Sequence, residues 1–314
     1  MSKRALIGVD LGGSVVAAGL VTPEGLVLAQ GQDPTHKRGP GTAVATLLDV
    51  IQRMQQAAGA FGVTVEGVGI GVPGTVDAER GVIGRDVHYV PDLAGAPLAA
   101  TVAAQTGLPV YVDNDVNVLA LGEWTFGAGQ GSRFLVVLAI GTGVGGGIIQ
   151  DGRLVRGEGG YGGELGHVPI NFDGRACICG GQGCLKTYVS GTDIGLIATE
   201  RLKVNVNAAD VFRMADESNP TCQEVVAEVC RALGAGLAVI VNGLNPELLI
   251  VTGGVEESLK PLELRILTQL QRYAFARALE STRIEIVPQS KQSTVRGGAA
   301  LVQYETERRR AAIR

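Results

Sequence analysis

Two glycine-punctuated segments of this chain carry one pattern, and that repetition constrains the fold more than any other feature. ALIGVDLGGSVVAAGLVTPEGLVLAQG starts at Ala5, and FLVVLAIGTGVGGGIIQDGRLVRGEG starts at Phe134. Each reads as an apolar strand, a Gly-rich turn, a second apolar strand, a tight turn and a third strand. Gly12 aligns with Gly141 and, after a two-residue gap, Gly25 aligns with Gly152. Glycine and valine are abundant, so a single match carries little. The copies also start each half of the chain, which favours a duplicated domain.

Between the copies, strands alternate with helices. Thr42 to Phe61 has helical spacing, with Val44, Leu47, Leu48, Ile51 and Met54 on one face. Val65 to Val72 reads as a buried strand, Leu98 to Thr106 as a helix and Pro109 to Val112 as a short strand. A helix then begins at Asn114 or Asp115 and runs to Phe126. The second half continues with helix around Cys222 to Leu244, strand Leu248 to Thr252, one helix from Lys260 to Glu280 and strand Ile284 to Val287. A last helix follows Gly297-Gly298. The class is α/β with mixed sheets.

Of the 314 residues, 46% are hydrophobic and 18% charged, so a sizeable core is expected and disorder is not. The net charge is −4, and no basic stripe precedes the last turn. Nucleic acid is therefore a poor candidate partner. The tail ETERRRAAIR reads as the solvated end of a helix. MSKRALIGVDLGG meets Asp10 too early for a signal peptide, and no run of about 18 apolar residues would span a membrane. The expected setting is cytoplasmic, where clustered cysteines more often bind metal or do redox work than form structural disulfides.

IGTGVGGG contains a G-x-G-x-x-G match at Gly141, Gly143 and Gly146. A dinucleotide fingerprint needs a helix directly after the turn. IIQDGRLV reads as a hairpin instead, so that reading is rejected. Two hairpins whose backbone amides face one nucleotide's phosphates remain possible; so do two ordinary tight turns. In YVDNDVNVLALGE, Asp113 and Asp115 flank Asn114 at a strand end before a helix. Such carboxylates suit a ligand crevice. Helix capping explains the same residues and is the commoner outcome.

His167 precedes Cys177, Cys179 and Cys184 as H-x9-C-x-C-x4-C. Three thiolates and an imidazole make a closed tetrahedral zinc site, structural rather than catalytic. Gly180, Gly181 and Gly183 allow the tight loop. The competing reading is three buried thiols and a surface histidine, which the clustering disfavours. Cys222 and Cys230, in a helical stretch, read as core residues.

These residues together resemble the ROK sugar kinases (repressors, open reading frames and kinases), whose best-known members are bacterial glucokinases. The resemblance covers nearly the whole chain. IGTGVGGGI, eight residues and GEGGYGGELGH fit the family signature, CICGGQGCL its zinc element, DLGGS its first phosphate motif and LLIVTGGV its adenosine-side motif. The resemblance implies an actin-like (ribonuclease H-like) ATPase fold of two duplicated α/β domains with a cleft between them. The expected division is residues 1–118, joined by the C-terminal helix 299–314, and residues 119–298 with the zinc loop. It implies transfer of the ATP γ-phosphoryl group to a sugar hydroxyl, with Mg2+ and structural Zn2+, in a homodimer or homotetramer.

By the resemblance, Asp115 is the catalytic base, a role suited to a carboxylate accepting the hydroxyl proton. Asn114, Glu164 and His167 hydrogen-bond sugar hydroxyls, and Gly74 belongs to the sugar loop. His167 then both ligates zinc and contacts sugar. Asp10, Gly12, Gly13 and Ser14 face phosphate and Mg2+, with Gly141, Thr142 and Gly143 opposite. Gly253 and Gly254 lie near the nucleotide. The favoured reading is a glucose kinase. The alternatives are a kinase for N-acetylmannosamine, N-acetylglucosamine, allose, fructose or an acidic sugar, and a non-catalytic sugar-binding protein. A repressor needs a helix-turn-helix domain first, and only nine residues precede Asp10.

The chain departs from the family at two sugar-facing positions. Lys186 stands where a sugar-contacting Glu is usual, and Asp92 in Pro91-Asp92-Leu93 stands where Asn is common. Ser14 for Thr is milder, because the hydroxyl is kept. One expectation is that Lys186 and Asp92 share a pocket as an ion pair. Others are that Lys186 binds an anionic or oxidised sugar, or that it points to solvent in an ordinary glucokinase.

Overall fold

The computed structural model describes residues 3–85, 87–288 and 291–313. The chain forms two compact units, residues 1–131, 153–162 and 290–314, and residues 132–152 and 163–289.

In the first unit one sheet runs in the order Val27–Pro34, Val15–Val21, Lys3–Leu11, Val63–Val72, Val110–Asn114. The first three strands are antiparallel, as their short turns require, and the last two run parallel to Lys3–Leu11 after helical crossovers. Leu11, Ile70 and Val72 are fully buried, as is the stripe Leu47, Val50 and Ile51 of the Ala43–Phe61 helix. Each such aliphatic side chain contributes about 1.5–3 kcal/mol by leaving water. Val44 and Leu48 sit at the margin of that stripe rather than within it.

The C-terminal helix departs from expectation. It spans Lys291–Ile313, with Gly297 and Gly298 inside it rather than before it. The glycines serve close packing. A Cβ at Gly298 would lie 2.6 Å from Gly69 O and 2.6 Å from Gly8 Cα. A Cβ at Gly297 would lie 2.4 Å from Val118 O. This packing holds the Asp115–Phe126 helix to the first unit, so that unit extends past residue 118, to 131.

The second unit repeats the topology. Phe134–Ile140 pairs antiparallel with Val144–Gln150 and parallel with Leu248–Thr252, which pairs parallel with Arg283–Ile286. The third strand of this copy shrinks to Arg153–Leu154, and the chain from Arg153 to Gly162 belongs to the first unit. The Pro220–Leu244 helix buries Cys222 and Cys230, which are core residues. The single helix expected from Lys260 to Glu280 is broken into Lys260–Leu262, Glu263–Gln271 and Ala276–Ser281. Asn242 explains the second break, since it donates to Tyr273 O (3.0 Å) and accepts from Phe275 N (2.9 Å). Among the described residues, no helix is long and apolar enough to cross a membrane.

Candidate active site

Strand Val110–Asn114 runs directly into helix Asp115–Phe126, and the junction gathers several of the expected residues. Asn114 is the helix cap: its Oδ1 accepts from Val116 N (2.9 Å) and Asn117 N (3.2 Å). Its Nδ2 donates to Gly74 O at 3.1 Å, which draws the expected sugar loop onto the same turn. Gly74 has φ +89°, a conformation that glycine tolerates at little cost. Asp115 is the first helical residue and half-buried, its Oδ1 accepting from Val116 N at 2.9 Å. The helix N-terminus favours its negative charge.

Asp113 faces elsewhere. Its Oδ2 accepts from Arg156 Nε at 2.7 Å, and its Oδ1 accepts from Asn114 N (2.8 Å) and Asn117 Nδ2 (3.0 Å). Arg156 also donates to Glu305 at 2.6 Å. Burial opposes the charge on Arg156, yet Asp113 and Glu305 outweigh it and raise its pKa.

Asp10 lies near the end of strand Lys3–Leu11. Burial pushes its carboxyl above the usual range, and a hydrogen bond with Thr294 works against that shift. The turn Gly12-Gly13-Ser14 is tied to Thr35: its hydroxyl donates to Gly12 O (2.6 Å) and its N–H to Ser14 O (2.9 Å). Asp92, on the short 3-10 helix Pro91–Leu93, accepts from Ala43 N at 3.3 Å and faces His36 Nε2 at 3.8 Å. His36, Gly39, Pro40, Gly41, Pro91 and Asp92 line a cavity of about 290 Å³.

The second unit gathers the remaining residues. The turn Gly141-Thr142-Gly143 closes with Gly141 N donating to Gly143 O (2.9 Å). Gly191 N donates to Gly141 O (2.8 Å) and Val255 N to Ile140 O (3.0 Å), which brings Gly253-Gly254 and the Gly191–Leu202 helix beside that turn. A Cβ at Gly253 would lie 2.4 Å from Ile140 O, so only glycine allows this approach.

Glu164 and His167 flank a 3-10 turn, with His167 Nε2 3.9 Å from Glu164 Oε2. The other ring nitrogen, Nδ1, is 3.4 Å from Cys177 Sγ, and Cys179 Sγ is 3.7 Å from Cys184 Sγ. One donor atom from each of these four residues lies within 4.8 Å of the others. A tetrahedral ion with metal–sulfur bonds of about 2.3 Å needs donors roughly 3.5–3.8 Å apart, and the His167–Cys177 and Cys179–Cys184 pairs lie near that spacing. Burial, with Cys177 and Cys179 alongside, pushes the Cys184 thiol up to about 12. A divalent cation would offset that penalty. Gly183, at φ +70°, lets the loop pass Asn171, whose carbonyl oxygen would lie 1.8 Å from a Cβ there.

Lys186 does not point to solvent. Its ammonium lies 3.0 Å from Asp193, with 12% and 18% of the two side chains exposed. Ser190 also hydrogen-bonds Asp193 through its hydroxyl. Within its own unit Lys186 has Asp193 as a partner, and within the other Asp92 has His36 and Ala43. Sequence reasoning missed Asp193 and Arg156. Asp193 carries a local signal, an acid in the first turn of a Ser-capped helix. Arg156 carries none, because its partners lie 43 and 149 positions away.

The ROK family model matches residues 6–305. A glucokinase of Halalkalibacterium halodurans is 33% identical over 321 residues, which cover 97% of each protein. The solved ROK hexokinase of Thermus thermophilus is 31% identical, with a TM-score of 0.83 over 97% of this chain and 100% of that one. A ROK family glucokinase from Streptomyces griseus, solved with glucose and AMPPNP, is 32% identical, with a TM-score of 0.75 over 95% and 98% of the two chains.

Proposed function

The chain belongs to the ROK family, and we propose that it is an ATP-dependent hexose kinase that converts glucose to glucose 6-phosphate. Its fold is the actin-like ATPase fold of that family. The observation that carries the reading is the Asn114–Asp115 turn, with a half-buried carboxylate at a helix N-terminus and the neighbouring asparagine clasping Gly74. The glucokinase and hexokinase relatives supply the substrate class, and the glucose and AMPPNP complex of one of them supports both ligands.

In this mechanism Asp115 accepts the proton of the C6 hydroxyl as its oxygen attacks the γ-phosphorus. The bond to the β,γ-bridging oxygen breaks, and ADP leaves. Asn114, Glu164 and His167 orient the sugar, with Gly74 and Asp92 on its loops. Gly12, Gly13, Ser14, Gly141, Thr142 and Gly143 contact the phosphates, with Gly253 and Gly254 on the nucleoside side. Asp10 is the candidate carboxylate for Mg2+, which neutralises phosphate charge when bound. His167, Cys177, Cys179 and Cys184 would hold a structural Zn2+, fixing the His167 ring through Nδ1 and leaving Nε2 for the sugar.

The Lys186–Asp193 pair favours a neutral hexose over a sugar acid, because a paired ammonium offers little to an anion. We place the protein in the cytoplasm as a homodimer or homotetramer, which light scattering would read. The deciding experiment is a coupled ADP-release assay over aldohexoses, amino sugars and uronic acids, with Asp115→Ala as control. Glucose turnover that falls about 10²–10⁴-fold in the variant is expected. Equal inactivity of both proteins on every sugar defeats the reading.

A further inference from the structure

We infer that Arg156 is a positioning residue of the phosphoryl-transfer site, acting through Asp113 on the Asn114–Asp115 turn; this rests on the reading of Asp115 as the base. Asp113 and Glu305 are each 2% exposed. Two carboxylates this deeply buried need charge-assisted partners. One guanidinium serves both, giving 2.7 Å to Asp113 and 2.6 Å to Glu305. Arg308 Nε reaches the other Glu305 oxygen at 2.9 Å, while its Nη2 pairs with the more exposed Glu79 at 2.6 Å.

The Asp113 carboxylate is held from both sides. Arg156 takes Oδ2, while Oδ1 accepts from the backbone N–H of Asn114 and from Asn117 Nδ2. Fixing the carboxylate plane therefore fixes the Asn114 peptide, and the next residue is Asp115. Most of the roughly four acceptor sites of the Asp113 carboxylate are thus taken up within the protein. Arg156 is anchored in turn. Its guanidinium carbon lies 5.6 Å from the centre of the Tyr304 ring, and the Tyr304 hydroxyl accepts from Leu154 N at 3.1 Å. The segment 153–162 and the C-terminal helix thus brace the reacting turn from outside it.

Lysine keeps the charge but not the fork that spans two carboxylates. The test measures kcat, both KM values and melting temperature for R156K. The expected result is a folded protein with kcat down about 10–100-fold, a raised sugar KM and an ATP KM within about twofold. A role in stability alone would lower the melting temperature without this split. A folded R156K with wild-type kcat overturns the inference. If R156K does not fold, D113N/R156Q removes one charge of each sign and leaves Glu305 to Arg308. That double variant, folded and with full kcat, also overturns it, while a selective loss of kcat supports it. A wild-type protein that phosphorylates no sugar removes the kinase reading instead, and this proposal with it.

Discussion

Lys186 and Asp193 form an ion pair of 3.0 Å in which neither side chain is more than 18% exposed. In the proposed reading, Lys186 stands in the place of a sugar-contacting glutamate, and Asp193 is its acidic partner. Restoring the glutamate alone would set two carboxylates side by side. K186E is therefore expected to lose about tenfold in glucose kcat/KM, since like charges brought together cost several kcal/mol. K186E/D193A should recover much of that loss. Steady-state kinetics on the two variants checks this, and a K186E enzyme better than wild type would show that Asp193 does not set the charge at this site.

In the proposed reading, a metal held by His167, Cys177, Cys179 and Cys184 would tie the sugar-contacting histidine to a loop rich in glycine, which has little structure of its own. Chelation should lower the melting temperature by roughly 5 °C or more and weaken glucose binding. Nucleotide binding should change less, because the Gly141-Thr142-Gly143 turn is held by Gly191 and not by the metal loop. Calorimetric melting and titration with glucose and AMPPNP, before and after metal removal, read out each part. Unchanged melting and unchanged glucose affinity would remove the metal from the account.

The close glycine packing of the C-terminal helix gives a sharp stability prediction. In G298A the new methyl would lie 2.6 Å from Gly69 O and Gly8 Cα, backbone that cannot swing aside. The variant should be destabilised by about 1–3 kcal/mol. G243A is the control, since a Cβ at Gly243 meets nothing within 4 Å. Denaturant midpoints of the two variants make the comparison.

Those same glycines show where sequence reading stopped. Gly297-Gly298 looked like the punctuation before a helix, because glycine lowers helix propensity. Their use, contact with Gly8, Gly69 and Val118, exists only once distant strands are placed. Local features were legible: the two hairpins, the capped Asn114–Asp115 junction and the cysteine loop all arise from neighbours in sequence. Long-range pairings were not: the sequence leaves Asp113 between a ligand crevice and a helix cap, and its partners Arg156 and Asn117 appear only in the fold. Lys186 has its partner hidden for a related reason. Its unusual identity was visible, but which acid met it depended on how the Gly191–Leu202 helix turns back.

Asp10 yields a pH prediction whose sign follows from its environment. Burial raises its carboxyl above the ordinary value of 3.8, so the fold favours the protonated form. Between that value and the higher folded one, the native state binds more protons than the unfolded state. Stability therefore falls as pH rises through this window, and the cost persists at neutral pH. D10N keeps the shape and removes the ionisation. It should raise the melting temperature by about 2 °C or more at pH 7, while phosphoryl transfer is lost because the candidate Mg2+ carboxylate is gone. At a pH below 3.8 the wild-type carboxyl is protonated in both states, and the gain should vanish. Melting curves of both proteins across this range are the check. A D10N protein less stable than wild type at neutral pH would mean that the Asp10 charge is favoured by its surroundings rather than opposed.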